Sequence, residues 1–460
     1  MSSVPDYLQS ARPNPPANRA PWYRNTAPTY AGIFLWIAFY MSLAGGSINR
    51  ASLGVCLLAL AAAGLLCYWL FYYVPAMLGL QTGYPLYVVG ASTFGARGGY
   101  LMPGLLMGLL QIGWFSVGTF ISTKFILTGL GLNAAPATPL FVAVALVWAV
   151  SLTLVGVKGI GYVARFATFL NVVPLVMILV VLARTAGSAG DHQPAEPNAW
   201  LGVTALVQTV IGFFATAGAA GTDFGLNSRH RGDVRFGGLV GIAGTILVAG
   251  GLPIISVAGA RVMNPGLSSY NYDAVIASQG GWLATAMFFL FAAASIAPGC
   301  FSAFIASNSF GTMLPRIPRL TSTLAGGLLA AALAGAGVAE NLIGFFTIVG
   351  ASFGPVCGAM AADYLLAGKK WAGPRQGVSV PGYAAWAIGF AVGILPFLPV
   401  SEGIKQAAQP AALYSMLAGF VVYYVLARAG LEPAPLVVKL PGAADPLNRR
   451  AASGSAGGSG

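Results

Sequence analysis

The chain has 460 residues, 57% hydrophobic and only 7% charged, with a net charge of +12. Soluble domains carry about 25% charged residues, so this composition excludes an ordinary soluble enzyme or binding module. It points to a surface that faces lipid, where charge is costly.

The 62 glycines fit that reading, because small residues let membrane helices approach closely. Cys56, Cys67, Cys300 and Cys357 all lie in apolar segments, and none forms a C-x-x-C pair. They read as small buried hydrophobes. No cleavable signal is visible, since the start, Met1 to Ala20, is polar and Pro-rich.

A helix needs about 20 apolar residues to cross the hydrocarbon core. In chain order the sequence predicts spans 1 (29–49), 2 (52–78), 3 (100–130), 4 (138–157), 5 (160–183) and 6 (200–222). Spans 7 (237–260), 8 (280–310), 9 (320–338), 10 (341–366), 11 (382–400) and 12 (409–428) follow. Residues 1–28 and 429–460 are then tails, expected to be disordered and cytoplasmic, around one transporter domain, 29–428. The last stretch, Ala451 to Gly460, reads as a Gly/Ser-rich addition to the chain.

Loop charges orient these spans. With the N-terminus inside, eighteen of the 23 Lys and Arg fall on the cytoplasmic side. The outside holds Arg50, Arg184, Arg261 and Lys405, with Lys124 near the outer end of span 3. The basic charge is thus a topology signal and not a nucleic-acid footprint. A multi-pass cell membrane protein, inner or plasma, with both termini cytoplasmic is expected.

Two spans carry central glycines. Span 1 reads Met41-Ser42-Leu43-Ala44-Gly45-Gly46-Ser47, and span 6 reads Phe213-Phe214-Ala215-Thr216-Ala217-Gly218-Ala219-Ala220-Gly221. They open two five-helix blocks, spans 1–5 and 6–10. Inverted repeats with unwound helices around a midplane site are a common transporter plan. Unwinding at Gly45–Gly46 and around Gly218 is therefore expected, with close helix packing as the alternative use of the same glycines.

Catalysis would need acid–base or nucleophilic groups in the bilayer. The carboxylates instead sit in loops, tails or span ends, with Asp223 and Asp363 at the cytoplasmic ends of spans 6 and 10. No Gly-Lys-Ser/Thr phosphate loop occurs, nor any metal-ligand pattern. Enzyme activity, cofactor and metal are therefore not expected.

Span 3 carries Gln111-Ile112-Gly113-Trp114-Phe115, which puts Gln111 and Trp114 on one helix face. A carboxamide matches an amide or amidine edge, and an indole face stacks on a flat ring. Phe214 could supply a second face. The combination suits a planar, uncharged heterocycle, and helix packing by the same residues is the plainer alternative.

Here the residues match a known pattern. The entry Pro21-Trp22-Tyr23-Arg24-Asn25 and the span 3 run from Gln111 to Gly118 resemble the nucleobase–cation symporter family 1, the cytosine, purine, uracil, thiamine, allantoin and hydantoin permeases. So do Gly212 through Gly218 with Thr222-Asp223-Phe224, and Gly354-Pro355-Val356 through Ala362-Asp363-Tyr364-Leu365.

The resemblance covers about residues 20–428. It implies an all-α membrane fold of two inverted five-helix repeats, with helices 1 and 6 broken, plus two C-terminal helices. It also implies alternating access. Gln111 would bond the base, Trp114 and Phe214 would sandwich it, and backbone near Thr216 and Gly218 would bond its edge. Gly45 and Gly46 would line the break in span 1.

One departure concerns the coupling ion. Sodium-coupled members present adjacent hydroxyls on span 8, whereas this chain reads Ala294-Ser295-Ile296-Ala297-Pro298-Gly299. Hard cations need oxygen ligands, so Ser295, with Ala44 on span 1, marks a weakened cation site. Pro298 resembles the proton-coupled fungal branch. The expected coupling ion is therefore H+, with Na+ as the alternative. Within the same fold an amino-acid carrier is the runner-up, and a channel is the alternative outside it. The identity of the base and the oligomeric state are left open.

Overall fold

The computed structural model describes residues 4–132, 134–158 and 172–436. Among these, every regular element is a helix, and only two isolated bridges pair extended backbone. This follows from the solvent. In lipid each backbone N–H and C=O must be satisfied within the protein, and a helix does so within its own segment.

Among the described residues, nine helices are long and apolar enough to cross a membrane, and ten when one bent pair is taken as a single span. Span 2 is Leu53–Thr82, span 3 Tyr100–Gly129, span 4 Pro139–Val157 and span 6 Ala199–Ala219. Span 7 is Arg231–Met263, span 8 Gly281–Met313, span 10 Leu342–Leu366 and span 12 Ala411–Arg428. The remaining two predicted spans are also helical but shorter, span 9 as Arg319–Gly335 (17 residues) and span 11 as Val380–Gly393 (14 residues). Span 5 is helical over Val172–Thr185, and the rest of its predicted range lies outside the described residues, as does the Ala451–Gly460 end.

Burial sorts the spans. The most apolar window is 83% buried in span 10, 78% in span 6 and 72% in span 3, against 33% in spans 4, 5 and 12. Spans 3, 6 and 10 form the centre. Spans 4, 5 and 12 turn residues such as Leu146, Val147, Val176 and Val421 outward to where lipid would lie.

Span 1 is the bent pair, Thr26–Phe34 and Ile37–Ser47, with 55° between its halves. The break falls at Leu35–Trp36, where Trp36 is extended (φ −68, ψ 130), and not at Gly45–Gly46, which stay within the helix Leu43–Ser47. These glycines serve packing: a Cβ on Gly46 would stand 3.4 Å from the Ala205 Cβ of span 6.

Span 6 likewise runs unbroken through Gly218 and turns only at Ala220, into a short helix Gly221–Gly225. Its glycines also admit neighbours. A Cβ on Gly212 would lie 2.5 Å from the Phe346 carbonyl oxygen, and one on Gly218 would lie 2.7 Å from the Phe71 Cβ.

The flanks expected to be disordered are packed where they are described. Tyr7 donates to the Ala96 carbonyl at 2.6 Å, and Asn14 Nδ2 bonds the Leu226 carbonyl and Asn227. The Trp22 N–H reaches Asp233 at 3.0 Å. After span 12, the Leu436 N–H donates to the Pro374 carbonyl at 2.8 Å. Polar, Pro-rich composition hid this order, because the partners are backbone groups of distant spans.

Candidate functional site

Trp114 sits mid-way along span 3 and is 6% exposed. The glycines around it make room for aromatic neighbours. A Cβ on Gly113 would lie 2.5 Å from the Phe345 ring, and one on Gly118 would lie 3.1 Å from the Trp36 ring.

Four rings surround Trp114. Phe213 of span 6 and Phe345 of span 10 each lie 5.0 Å away, edge to face. Phe346 lies at 5.6 Å with 30° between planes, and Trp36, at the break of span 1, lies at 5.8 Å. The indole Nε1 donates to Thr216 Oγ1 at 3.1 Å. Spans 1, 3, 6 and 10 thus meet on one aromatic box with a hydroxyl at its edge.

Gln111 is on the adjoining strip of span 3 and is 8% exposed. Among the described residues its one hydrogen bond runs from Nε2 to the Met107 sulfur at 3.7 Å, a soft acceptor that leaves the carboxamide largely uncommitted. The residue lines a small, mainly apolar cavity that also includes Thr153, Ser302 and Thr323.

The structure therefore brings Trp114 to Thr216, while Gln111 lies one turn back on span 3 and lines a separate cavity. It does not bring Phe214 to Trp114. Phe214 faces the other way and stacks on Phe34 at 5.7 Å and against Tyr30. Phe213 holds the position against the indole. Adjacent helical residues point about 100° apart, so the choice between them depends on the rotation of span 6, which the sequence does not display. Gly218 lies one turn along from Phe214, against Phe71. Gly45 sits by Tyr270 and Asn271 of the segment between spans 7 and 8, away from the indole. The sequence offered no signal for Trp36, Phe345 and Phe346 beyond their being aromatic.

Span 8 kinks at Ser295, between the helices Gly281–Ala294 and Ile296–Met313. The Ser295 hydroxyl accepts from Trp36 Nε1 at 3.1 Å and donates to the Phe291 carbonyl at 3.0 Å. The span 1 residue that Ser295 bonds is thus Trp36. The carbonyl of Ala44, buried elsewhere in span 1, accepts the Ile48 N–H at 3.1 Å within its own helix.

Two carboxylates mark span ends, and a third lies in the loop between spans 7 and 8. Asp363 of span 10 is buried. It accepts from the Ser92 hydroxyl, from Thr93 Oγ1 at 2.9 Å and from Arg375 Nη1 at 2.9 Å. Arg375 Nη2 also bonds Glu432 at 2.9 Å. Burial works against the Arg375 charge, but Asp363, the Tyr423 hydroxyl and Glu432 outweigh it and hold the guanidinium above its ordinary pKa. At the opposite face, Asp273 pairs with Lys124 at 2.7 Å. Asp223, just beyond the end of span 6, accepts the Leu86 N–H at 3.3 Å and forms no ion pair among the described residues.

Residues 13–422 match the family described as "Permease for cytosine/purines, uracil, thiamine, allantoin". The chain belongs to that permease family. Its members are transporters, not enzymes. The chain is 26% identical over 301 residues to the cytosine permease of Escherichia coli (strain K12), a match covering 64% of this chain and 66% of the relative, just under two thirds of its length.

Its fold is similar to that of Mhp1, a nucleobase-cation-symport-1 family transporter solved in a closed conformation with bromovinylhydantoin bound (TM-score 0.66, 16% identity, 90% of this chain and 95% of that one). It is also similar to a Na+-coupled sialic acid symporter (TM-score 0.58, 12% identity, 94% and 93% covered). Mhp1 is further known in an inward-facing conformation, matched at TM-score 0.67, with 14% identity and 91% and 95% covered. The all-α, multi-pass fold expected from sequence is thereby established.

Proposed function

We propose that this permease imports a planar, uncharged, nucleobase-like heterocycle across the cell membrane, coupled to H+ rather than Na+. The face carrying both termini is the cytoplasmic one, as the placement of Lys and Arg supports. The observation that carries the substrate class is the box around Trp114. Its rings offer stacking surfaces, the Thr216 hydroxyl stands at its edge, and the Gln111 carboxamide, one turn back on span 3, has no strong protein partner among the described residues. Stacking suits any flat base, and an uncommitted carboxamide suits an amide edge.

Proton coupling draws support from span 8. Its single hydroxyl in this stretch, Ser295, already accepts from Trp36, and Ile296 and Ala297 bring no side-chain oxygen to a hard cation. Purified protein titrated with cytosine, uracil, hypoxanthine and hydantoin tests the substrate class, with binding of at least one expected and binding of none contradicting it. Uptake into proteoliposomes free of sodium, abolished by a protonophore, tests the coupling. A strict sodium requirement at fixed pH would overturn it.

A further inference from the structure

We infer that Asp223 is the group that carries the coupled proton, and that its ionised form clasps the linker between spans 2 and 3 to the end of span 6. This rests on the proton-coupled reading above.

The linker holds two short helices, Leu86–Val89 and Ala91–Phe94, and leads into span 3 with Gln111 and Trp114. It is fastened at both ends by a carboxylate. At one end Asp363 takes the hydroxyls of Ser92 and Thr93, and Arg375 pairs with it. At the other end Asp223 takes the Leu86 N–H. The two fasteners differ in one respect, the counter-ion. Asp363 has a buried guanidinium within 2.9 Å. A carboxylate held only by an N–H is free to take up a proton.

The titratable groups facing Asp223 are themselves neutral. They are the phenols of Tyr30 on span 1 and Tyr87 on the linker, both within its electrostatic reach. Span 2 packs on the same short helix through Tyr72, Ala76 and Gly79. Arg19 of the N-terminal segment is committed to the Leu80 carbonyl at 3.2 Å. Loss of hydration pushes the Asp223 carboxyl up to about 7, against the downward pull of the Leu86 N–H and its own N–H. That is where a group must titrate to exchange protons at neutral pH.

The consequence is mechanical. A charged acceptor holds an N–H roughly twice as strongly as a neutral one. Protonation therefore loosens the Leu86 end while Asp363 keeps its grip on the other. Span 3 is then released from span 6 at this face, which is the separation alternating access needs there. The proton is taken up from outside in the outward-facing form and leaves to the cytoplasm once this face has opened, and its loss restores the clasp.

The test compares wild type with Asp223→Asn in sodium-free proteoliposomes, using labelled cytosine, uracil and hydantoin as probes. The expected variant still exchanges internal for external substrate, no longer concentrates it under an imposed pH gradient, and shows a flat pH profile. Retained exchange shows that the fold is intact. A second variant, Leu86→Pro, removes the N–H at a first helical position where proline fits. With the carboxyl kept but the clasp gone, it should also exchange substrate without concentrating it, and concentrative uptake with the wild-type pH profile would overturn the clasp. Concentrative uptake by Asp223→Asn with the wild-type pH profile overturns the assignment and leaves proton coupling standing. Wild-type uptake that ignores both pH and a protonophore overturns the coupling itself, and the role of Asp223 with it.

Discussion

The linker between spans 2 and 3 is held by two carboxylates at the ends of spans 6 and 10, and they are opposites in their surroundings. Asp363 is buried in a set of hydroxyl and guanidinium donors that extends through Arg375 to Glu432 and the Tyr423 hydroxyl. Asp223 is partly buried beside phenols and has one backbone N–H from the linker. Burying charge is tolerable only when it is paired and hydrogen-bonded. Asp363 therefore behaves as a structural rivet. Asp223 keeps a charge that is readily neutralised, which suits a part that must let go.

Arg375→Ala tests the contrast most severely. It leaves Asp363 buried and unpaired, so stability should fall by about 3–5 kcal/mol, read as a lower unfolding temperature in detergent. An unchanged temperature would mean that the rivet does not hold. Thr93→Val removes one donor from Asp363 and keeps the shape, so about 1–3 kcal/mol should be lost by the same assay.

Below pH 3.8, where the carboxyl is protonated in both the folded and unfolded states, Asp223→Asn should shift stability by no more than about 1 kcal/mol, since it trades one hydrogen bond for another. The sign with pH is defined. The folded carboxyl titrates at about 7 against an ordinary value of 3.8, so its contribution is greatest below 3.8 and is lost as pH rises through 7. Wild type should lose stability across this window, and the variant should lack the slope. Lys124→Gln breaks a third carboxylate pair, with Asp273, whose lysine is 44% exposed. Its cost should stay below about 1 kcal/mol, so a larger loss would show that pairing alone does not rank these sites.

Much of the fold was legible because hydrophobic run length and loop charge act over whole segments. The helices stand where those signals placed them, even the short spans 9 and 11. The breaks were not legible. Glycine clusters at Gly45–Gly46 and Gly218 read as unwinding but serve close approach to Ala205 and Phe71. The actual break at Trp36 carries no glycine at all. It is held by a tertiary bond from Trp36 to Ser295, while a second turn, at Met41–Ser42, gives the Met41 carbonyl to the Tyr272 N–H at 2.9 Å. Such partners lie hundreds of residues away and leave no local mark.

The same limit applied to the candidate site. The spacing of Gln111 and Trp114 on one helix could be read from the sequence, but not that Gln111 lines a separate cavity. The choice of Phe213 over Phe214 depended on how span 6 is rotated against span 3. The packed ends at Tyr7 and Leu436 went unseen for the same reason, because their partners are carbonyls of distant segments.

The central claim is that a flat heterocycle is recognised at Trp114. Calorimetric titration of wild type and Trp114→Ala with cytosine, uracil, hypoxanthine and hydantoin tests it most directly. Binding of at least one base to wild type is expected, weakened by about 1–3 kcal/mol or more in the variant as a stacking surface is lost, with retained helical content showing that it still folds. Equal affinity in the two proteins would contradict the account.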